Sequence, residues 1–554
     1  MILRSPSTIM RLERLGSFHQ SRLSFMRILL RRMARENWQI ETLQSKLNDQ
    51  GVGHAVIAAK GPERTYTLVA FSHDLPDEQR TDRVIAEAWD TTFALYDGIP
   101  DDAEIERLSK NVPLQEKGRV SARELTLSRA NKSSRLFGQV VDALSEGRQP
   151  DNQPLEETGY LMRTTAVYGS GKFGAADREM IAGRPEFLAP FQAEMLTVYL
   201  IRLFVFDLVD HLAKIKGGEK AVRLSRDRKR RLGIGNSTGL GMAPFIVNHP
   251  QLFHAWVFAK ETALARVLAV SEATEQEIQT FTEIIFRTQS LIADWKTKDP
   301  VLSEKLRLLE EDLEKLSKKA DAKLLSGPSP WARLVRFAEE TLGLEAQELL
   351  ASIVLEPYGR IVDDLADTMS VDEKSDFPID GSRSVGEFRE LIEGLYDFAL
   401  QTDFSQPSEQ ARFWYVSEAK LEPRLGERFD EDGSELESPL SVARDISRLY
   451  EKLALQPSDT LLAEFLLKFP EHRHVARRIG IASRCSYMEI QDNLLSETMR
   501  PIDMLRAKLS FFGATKFDPR SDRWVRICMF QGAPLADEVV DDRDEWMYPA
   551  AADE

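Results

Sequence analysis

Cysteine is scarce in this sequence, and histidine is uncommon. The 554 residues include two cysteines, Cys485 and Cys528, and neither belongs to a Cys-x-x-Cys pair. A disulfide framework and a thiolate zinc site are therefore excluded, and a reducing cytoplasm fits the composition best. His249 and His254 lack the four-residue spacing of a helical His-based metal site, so no metal site is predicted.

Long apolar runs and an excess of positive charge are also missing. The nearest approach to an apolar span, Val198–Val209, is interrupted by Arg202 and Asp207, which predicts a buried helix and no membrane contact. The formal net charge of −16 argues against nucleic-acid binding, because phosphate recognition requires a basic face. The composition, 42% hydrophobic and 29% charged, is typical of a soluble protein with several domains.

The first 37 residues depart from the acidic balance of the chain. They contain eight arginines and only two acidic residues, Glu13 and Glu36. An arginine- and serine-bearing, acid-poor start is typical of an organelle transit peptide. An over-extended start, with Met26 or Met33 as the true first residue, explains the same pattern, and the sequence leaves both interpretations open.

Strand and helix patterns predict the fold class. Two β-prone runs, His54–Lys60 and Arg64–Phe71, flank a Gly-Pro turn and predict an N-terminal hairpin. A second hairpin is predicted from Leu509–Phe512 and Trp524–Phe530, and helical patterns predominate from Pro250 onward. We therefore expect a mainly α, multi-helix protein with a small α+β module formed by the N- and C-terminal β-hairpins.

The same patterns divide the chain into five segments. These are a basic N-terminal extension at 1–37, a small α+β module at 38–150, a central helical domain with two glycine-rich loops at 151–330, a C-terminal helical domain at 331–508, and a β-hairpin with an acidic tail at 509–554. Within the module we predict helices over Asp77–Tyr96 and Ser121–Leu144, the second of which begins with a Ser-x-x-Glu capping box.

Two glycine-bearing segments flank one long apolar helix, predicted over Leu188–Ile215. The first, at 166–174, reads AVYGSGKFG, and the second, at 233–244, reads GIGNSTGLGMAP. Neither matches a Walker A loop or the dinucleotide fingerprint. Glycine costs conformational entropy on folding, so a physical use is expected. That use is close approach of the backbone to a ligand, or close packing of the loops against the long helix.

Candidate binding residues lie in or beside these two segments. Lys172 supplies a point charge next to small residues whose backbone N–H groups can surround an anion. Arg202 interrupts an apolar helix and therefore needs a partner, which is an acidic side chain or an anionic ligand. The predicted substrate-binding residues are Arg163, Tyr168, Ser170, Arg178, Arg202, Asn236, Ser237, Thr238, Gly239 and Gly241.

Candidate catalytic residues are His249, Lys172, and the pair Asp207 and His211. Asp207 and His211 are four residues apart on the long helix and share one face. A carboxylate in that position can fix the imidazole tautomer and raise its basicity for proton transfer. A structural ion pair near the end of a helix is the alternative interpretation.

These residues predict a cytoplasmic, metal-independent enzyme of transferase or lyase type. Its ligand would be a small organic anion, a carboxylate or a phosphate, bound between 166–174 and 233–244, where backbone N–H groups stabilise an oxyanion. The sequence specifies no cofactor and leaves room for a homo-oligomer. The alternative is a helical scaffold or regulatory interaction protein with no catalytic site.

Overall fold

The computed structural model describes residues 2–76, 88–113, 120–169, 181, 183–239, 249–370, 378–405, 414–417, 423–425, 437–440, 442–491, 501–514, 516–519, 524–540 and 546. The strands of this part of the chain are β1 Gln39–Leu47, β2 Gly53–Lys60, β3 Thr65–Ser72, β4 Thr91–Asp97, β5 Glu124–Lys132, β6 Tyr160–Gly169, β7 Gly233–Gly239, β8 Trp414–Ser417, β9 Pro423–Leu425, β10 Glu437–Leu440, β11 Phe517–Pro519 and β12 Trp524–Met529.

The helices of the described ranges cover the rest of the framework. They are α1 Pro6–Ile9, α2 Leu12–Leu15, α3 Phe25–Arg35, α4 Asp102–Asn111, α5 Phe137–Ser145, α6 Asn152–Thr158, α7 Gln192–Gly217, α8 Arg226–Arg230, α9 Pro250–Leu268, α10 Glu275–Asp294, α11 Pro300–Lys319, α12 Ala322–Leu325, α13 Pro330–Thr341, α14 Leu344–Ile353, α15 Gly359–Val362, α16 Leu365–Thr368, α17 Val385–Leu395, α18 Asp397–Leu400, α19 Val442–Ala454, α20 Leu462–Lys468, α21 Arg473–Ala482 and α22 Pro501–Phe512. No helix among them combines the length and apolar character that a membrane span requires.

One nine-stranded mixed sheet organises the N-terminal and central parts of the protein. Its order is β1-β2-β3-β4-β5-β6-β7-β12-β11. Neighbouring strands are antiparallel except for β6 and β7, which are parallel. The predicted fold class, helices with a small module of terminal hairpins, is therefore wrong. The N-terminal hairpin of β2 and β3 is confirmed, but it belongs to the same large sheet as β12.

The sequence patterns missed strands β4, β5 and β7, which lie between the N-terminal hairpin and β12 in the sheet. The predicted helix Asp77–Tyr96 ends in strand β4, and the predicted helix Ser121–Leu144 is strand β5 followed by α5. The second glycine segment begins as strand β7. A strand that is buried on both faces needs no alternation of polar and apolar residues, and β4 is buried along almost its whole length.

Helices cover both faces of the sheet. The long helix α7, confirmed close to its predicted bounds, is buried on nearly every side and contacts β4 where Phe204 lies 5.6 Å from Phe93. On the opposite face, Ile105 and Leu108 of α4 form a smaller core with Val69 and other strand residues. Apolar side chains on both faces therefore drive the folding of the central strands.

The arginine-rich start of the chain is packed into the main core. Arg27 is fully buried and donates to Glu356, with Nη1 2.8 Å from Oε1. Arg4 and Arg14 donate to the buried Glu348 at 2.8 and 2.7 Å. Because a buried arginine needs a charged or hydrogen-bonding partner, these ion pairs fix residues 4–27 against the helices that follow β7.

A separate apolar core lies among the later helices. It is formed by α17, α19, α20 and α21, with Tyr396, Leu449, Phe465 and Ile479 buried inside. Capping at Ser384, whose hydroxyl accepts from the backbone N–H of Glu387, defines the start of α17. This core is distinct from the one under the large sheet.

Candidate functional site

The described parts of the two glycine segments, 166–169 and 233–239, belong to neighbouring parallel strands. Tyr160 of β6 is opposite Gly233 of β7, and Thr164 is opposite Asn236. Parallel strands end at the same edge of a sheet, so the chain leaves Gly169 and Gly239 at a shared edge. In open α/β sheets, ligands bind beyond the carboxyl ends of parallel strands.

The predicted binding residues are divided between these strands and the segments that follow them. Arg163 is a buried residue of β6, and Tyr168 lies opposite Leu127 near the end of that strand. Asn236 is half-buried in β7, where Ser237, Thr238 and Gly239 continue the strand against Arg526, Val525 and Trp524. Residues Ser170, Lys172, Arg178 and Gly241 lie outside the described residues.

Close packing explains two of the glycines in β7. A Cβ atom on Gly233 would lie 2.2 Å from the carbonyl oxygen of Met529, and one on Gly235 would lie 2.5 Å from the ring of Tyr160. Both distances are far shorter than van der Waals contact, so a side chain at either position requires the neighbouring strand to move. The first part of the second segment therefore uses glycine for strand packing.

The long helix α7 begins beside the end of β6. The hydroxyls of Thr197 in α7 and Thr126 in β5 are 2.7 Å apart, and Thr126 is opposite Gly169 in the sheet. The second turn of α7 therefore lies against β5 at the level where β6 ends. The N-terminus of a helix carries a partial positive charge and free N–H groups, which favour anions.

A cluster of phenylalanine rings surrounds the start of α7 and joins it to α22. Phe191 is the residue before α7. Its ring centroid lies 5.2 Å from that of Phe25 and 5.3 Å from that of Phe512. Phe511 contacts Phe253, in the first turn of α9, at 5.7 Å. We call these five residues the phenylalanine cluster. It brings the N-termini of α7 and α9 and the last turn of α22 into one region.

Lys508 is a buried amine at this cluster. It lies one turn before Phe512 in α22, and its Nζ is 5.5 Å from the Phe512 ring centroid. Burial lowers the pKa of Lys508 to about 7, so near pH 7 a large fraction of the amine is neutral and can accept a proton or attack a carbonyl carbon. Sequence reasoning missed this residue because Leu509–Phe512 was wrongly predicted as a strand. The sequence does offer one signal for it, since a lysine stands in the mostly apolar run between Leu505 and Phe512.

His249 lies at the start of α9, as predicted. Its carbonyl accepts the backbone N–H of Phe253 at 3.0 Å, and Phe253 belongs to the phenylalanine cluster. His249 therefore lies beside the phenylalanine cluster, as Lys508 does. Its role in proton transfer stays a prediction.

Arg202 is held by backbone carbonyls of two distant segments. Its guanidinium donates to Leu232 and Lys229 at 2.8 and 3.1 Å, and to Ala533 and Pro534 at 3.0 and 3.2 Å. The side chain is fully buried, and burial lowers its pKa to about 10. These contacts make Arg202 a clasp that fixes the chain after β12 to the segment before β7.

Asp207 and His211 face the first hairpin, away from the shared edge of β6 and β7. The hydroxyl of Thr42 in β1 donates to Asp207 at 3.1 Å, and Nε2 of His211 lies 2.9 Å from the carbonyl oxygen of Asn48 in the β1–β2 turn. The predicted site residues therefore occupy separate regions. The strand residues belong to β6 and β7, and His249 lies at the start of α9. Asp207 and His211 lie on the later turns of α7.

Comparison with known proteins adds no relative to this picture: no family model, curated protein or solved structure matches the chain. Function must therefore be argued from geometry. The structure offers the edge of the parallel pair β6 and β7, and the buried amine of Lys508 at the phenylalanine cluster that packs on the residue before α7. A parallel strand edge suits an anion, and an amine of lowered pKa can move a proton.

Proposed function

We propose that this protein is an enzyme that acts on a small organic anion, a carboxylate or a phosphate, without a metal. The reaction is of transferase or lyase type, and the site lies beyond the shared edge of β6 and β7. The parallel pairing of these two strands supports the proposal, since the chain leaves both strands at the same edge of the sheet. Lys172 follows β6 directly in the sequence and supplies the positive charge.

In this proposal the start of α7 and Lys508 supply the chemistry of the site. The N-terminus of α7 contributes N–H groups and a partial positive charge, which stabilise a developing oxyanion. Lys508 contributes an amine that is partly neutral near pH 7, which suits abstraction of a proton next to a carboxylate or attack on a carbonyl. The phenylalanine cluster restricts water around that amine and strengthens its electrostatic interactions.

Thermal unfolding in the presence of candidate anions tests the proposal. The panel contains small carboxylates, sugar phosphates and acyl-CoA thioesters, each added to the wild type, to Lys172→Ala and to Lys318→Ala. Lys318 is a suitable control because its side chain is 79% exposed on α11. A ligand at about 100 times its dissociation constant stabilises the folded state by about 2.7 kcal/mol.

We expect one class of anion to raise Tm by several degrees in the wild type and in Lys318→Ala, and to lose this effect in Lys172→Ala. An equal shift in all three proteins would place the anion elsewhere. No shift with any compound would refute the proposal and favour the alternative. Once a substrate is found, Lys508→Met is expected to abolish turnover while the protein remains folded.

The alternative is a scaffold or regulatory interaction protein with no catalytic site. The glycines of β7 favour it, because Gly233 and Gly235 are accounted for by contact with Met529 and Tyr160. A scaffold uses such close packing for rigidity alone. The two proposals differ in the effect of Lys172→Ala, which changes anion binding only if the segment after β6 has a ligand.

A further inference from the structure

A second region of the protein forms a groove of about 510 Å³ between the edge strand β1 and the chain that follows β12. We call it the β1 groove and define it by Trp38, Ile40, Phe206, Asp207, Lys229 and Val540. This volume is within the range of small-molecule sites, which is roughly 300–1,000 Å³. The groove lies on the later turns of α7 and does not share its lining residues with the edge of β6 and β7.

Long-range contacts hold the walls of the groove in place. The Arg202 clasp binds the carbonyls of Ala533 and Pro534, and Arg226 binds Asp537 at 2.7 Å and Glu538 at 2.8 Å. The segment 535–540 is thereby fixed opposite β1. A groove with restrained walls loses little conformational entropy when it binds a ligand.

The opposite wall carries the ring of Trp38. Trp38 is buried and stacks on Tyr66, with a 6.1 Å centroid separation and a 16° interplanar angle. Its indole N–H donates to Glu36 at 2.8 Å, which fixes the orientation of the ring. Ile40 lies on the same wall as Trp38, and Val540 belongs to the facing segment 535–540. The groove therefore places a few apolar side chains beside a larger polar surface.

The cations of the groove are already paired within the protein. Lys229 binds Asp210 at 3.2 Å, and Arg226 binds the carboxylates of the C-terminal segment. Asp207 differs from the other carboxylates, because Thr42 is its only hydrogen-bond donor among the described residues. Among the described residues no cation lies within salt-bridge distance of Asp207, so this carboxylate retains acceptor capacity for a ligand.

A β-bulge aims Thr42 at this carboxylate. The register of β1 against β2 shifts between Thr42 and Gln44, and Leu43 occupies the bulge. Bulges at sheet edges re-aim side chains. The pKa of Asp207 is raised, chiefly because the walls remove solvent from the carboxylate. The Asp210 charge acts in the same direction, whereas the Thr42 hydrogen bond, Lys229 and Arg223 lower the pKa. An arriving cation would replace the lost solvation of the carboxylate.

We infer that the β1 groove binds a small primary amine with an aromatic or branched apolar body. The ammonium group donates to Asp207, and the apolar body packs between Trp38 and Val540. This ligand class is the reverse of the anion proposed for the edge of β6 and β7. The inference does not depend on the proposed enzyme activity.

Phenethylamine is a suitable probe, and 3-phenylpropionate is its anionic counterpart. Binding of both to the full chain is measured by isothermal titration calorimetry near neutral pH. The variants are Asp207→Asn, which retains an acceptor for Thr42, Val540→Lys, and Asp102→Asn as control. Asp102 is 92% exposed on α4, on the other face of the sheet.

We expect the amine to bind the wild type and Asp102→Asn equally, and to bind Asp207→Asn about tenfold or more weakly, because a charge-assisted hydrogen bond is lost. Val540→Lys, at a position 70% exposed, is expected to weaken binding by charge repulsion without unfolding. Equal binding to Asp207→Asn, tighter binding of 3-phenylpropionate, or no amine binding at about 10 mM, far above the range of specific sites, would each overturn the inference. Lys172→Ala is expected to leave amine binding unchanged.

Discussion

Replacing Lys508 by methionine is expected to stabilise the protein, and the gain should depend on pH in a defined direction. Methionine has a similar length and no charge. Burial lowers the pKa of Lys508 from 10.5 to about 7, a difference that corresponds to about 5 kcal/mol of unfavourable desolvation when the amine is charged in both states. Lys508→Met removes this cost.

The pH window follows from proton linkage. The folded pKa lies below the unfolded one, so between about pH 7 and pH 10.5 the unfolded chain binds a proton that the folded chain does not, and stability rises with pH there. The advantage of Lys508→Met should therefore be about 5 kcal/mol at low pH, about 3 kcal/mol at pH 8, and close to zero above pH 10.

Unfolding by guanidinium chloride at several pH values between 6 and 10 measures this difference directly. Lys260→Met is the matched control, because Lys260 is also buried and its Nζ lies 2.9 Å from Glu348. Glu348 then keeps Arg4 and Arg14 as partners, so the loss of Lys260 should destabilise the protein by roughly 1.5–3 kcal/mol. The reasoning would be refuted if Lys508→Met were no more stable than the wild type at pH 7, or if its advantage did not shrink towards pH 10.

Substitutions at three further positions test other parts of the structure by the same unfolding measurement. Gly235→Ala should cost about 1–3 kcal/mol, because its Cβ meets the Tyr160 ring at 2.5 Å; a normal midpoint would contradict that contact. Arg202→Met should cost about 3 kcal/mol, since it leaves buried carbonyls without donors, and Arg202→Lys should not restore them. Burial opposes ionisation of Glu345, but Arg506, His19 and Lys305 together outweigh it and lower the pKa of Glu345 to about 2. The resulting stabilisation, about 3 kcal/mol, is present above pH 4.5 and lost towards pH 2, so Glu345→Gln should show a weaker acid dependence.

Local patterns in the sequence were sufficient for elements whose neighbours are close in the chain. The hairpin of β2 and β3 follows from two β-prone runs around a Gly-Pro turn, and its antiparallel pairing is confirmed. The long helix α7 follows from an apolar run that Pro190 introduces and Gly217–Gly218 ends. In both cases the residues that determine the element lie within it or directly beside it.

Strands β4, β5 and β7 could not be predicted because their stability comes from partners far along the chain. β7 contains three glycines in seven residues, a composition of low β-propensity. It is nevertheless a central strand, hydrogen-bonded to β6 on one side and to β12 on the other. Tertiary packing therefore overrides local preference, and the glycines that suggested a loop are what permits close contact with Tyr160.

Arg202 shows how far sequence reasoning about a buried charge can go. The sequence establishes that an arginine within an apolar helix needs a partner, but it cannot supply the identity of that partner. Four carbonyls satisfy it, and two of them belong to Ala533 and Pro534, more than three hundred residues later in the chain. The segment that continues from Ala533 and Pro534 also forms one wall of the β1 groove, beside Asp207. A residue that looked like a ligand contact thus shapes a site in which it takes no direct part, and loss of the clasp in Arg202→Met should weaken amine binding as well as stability.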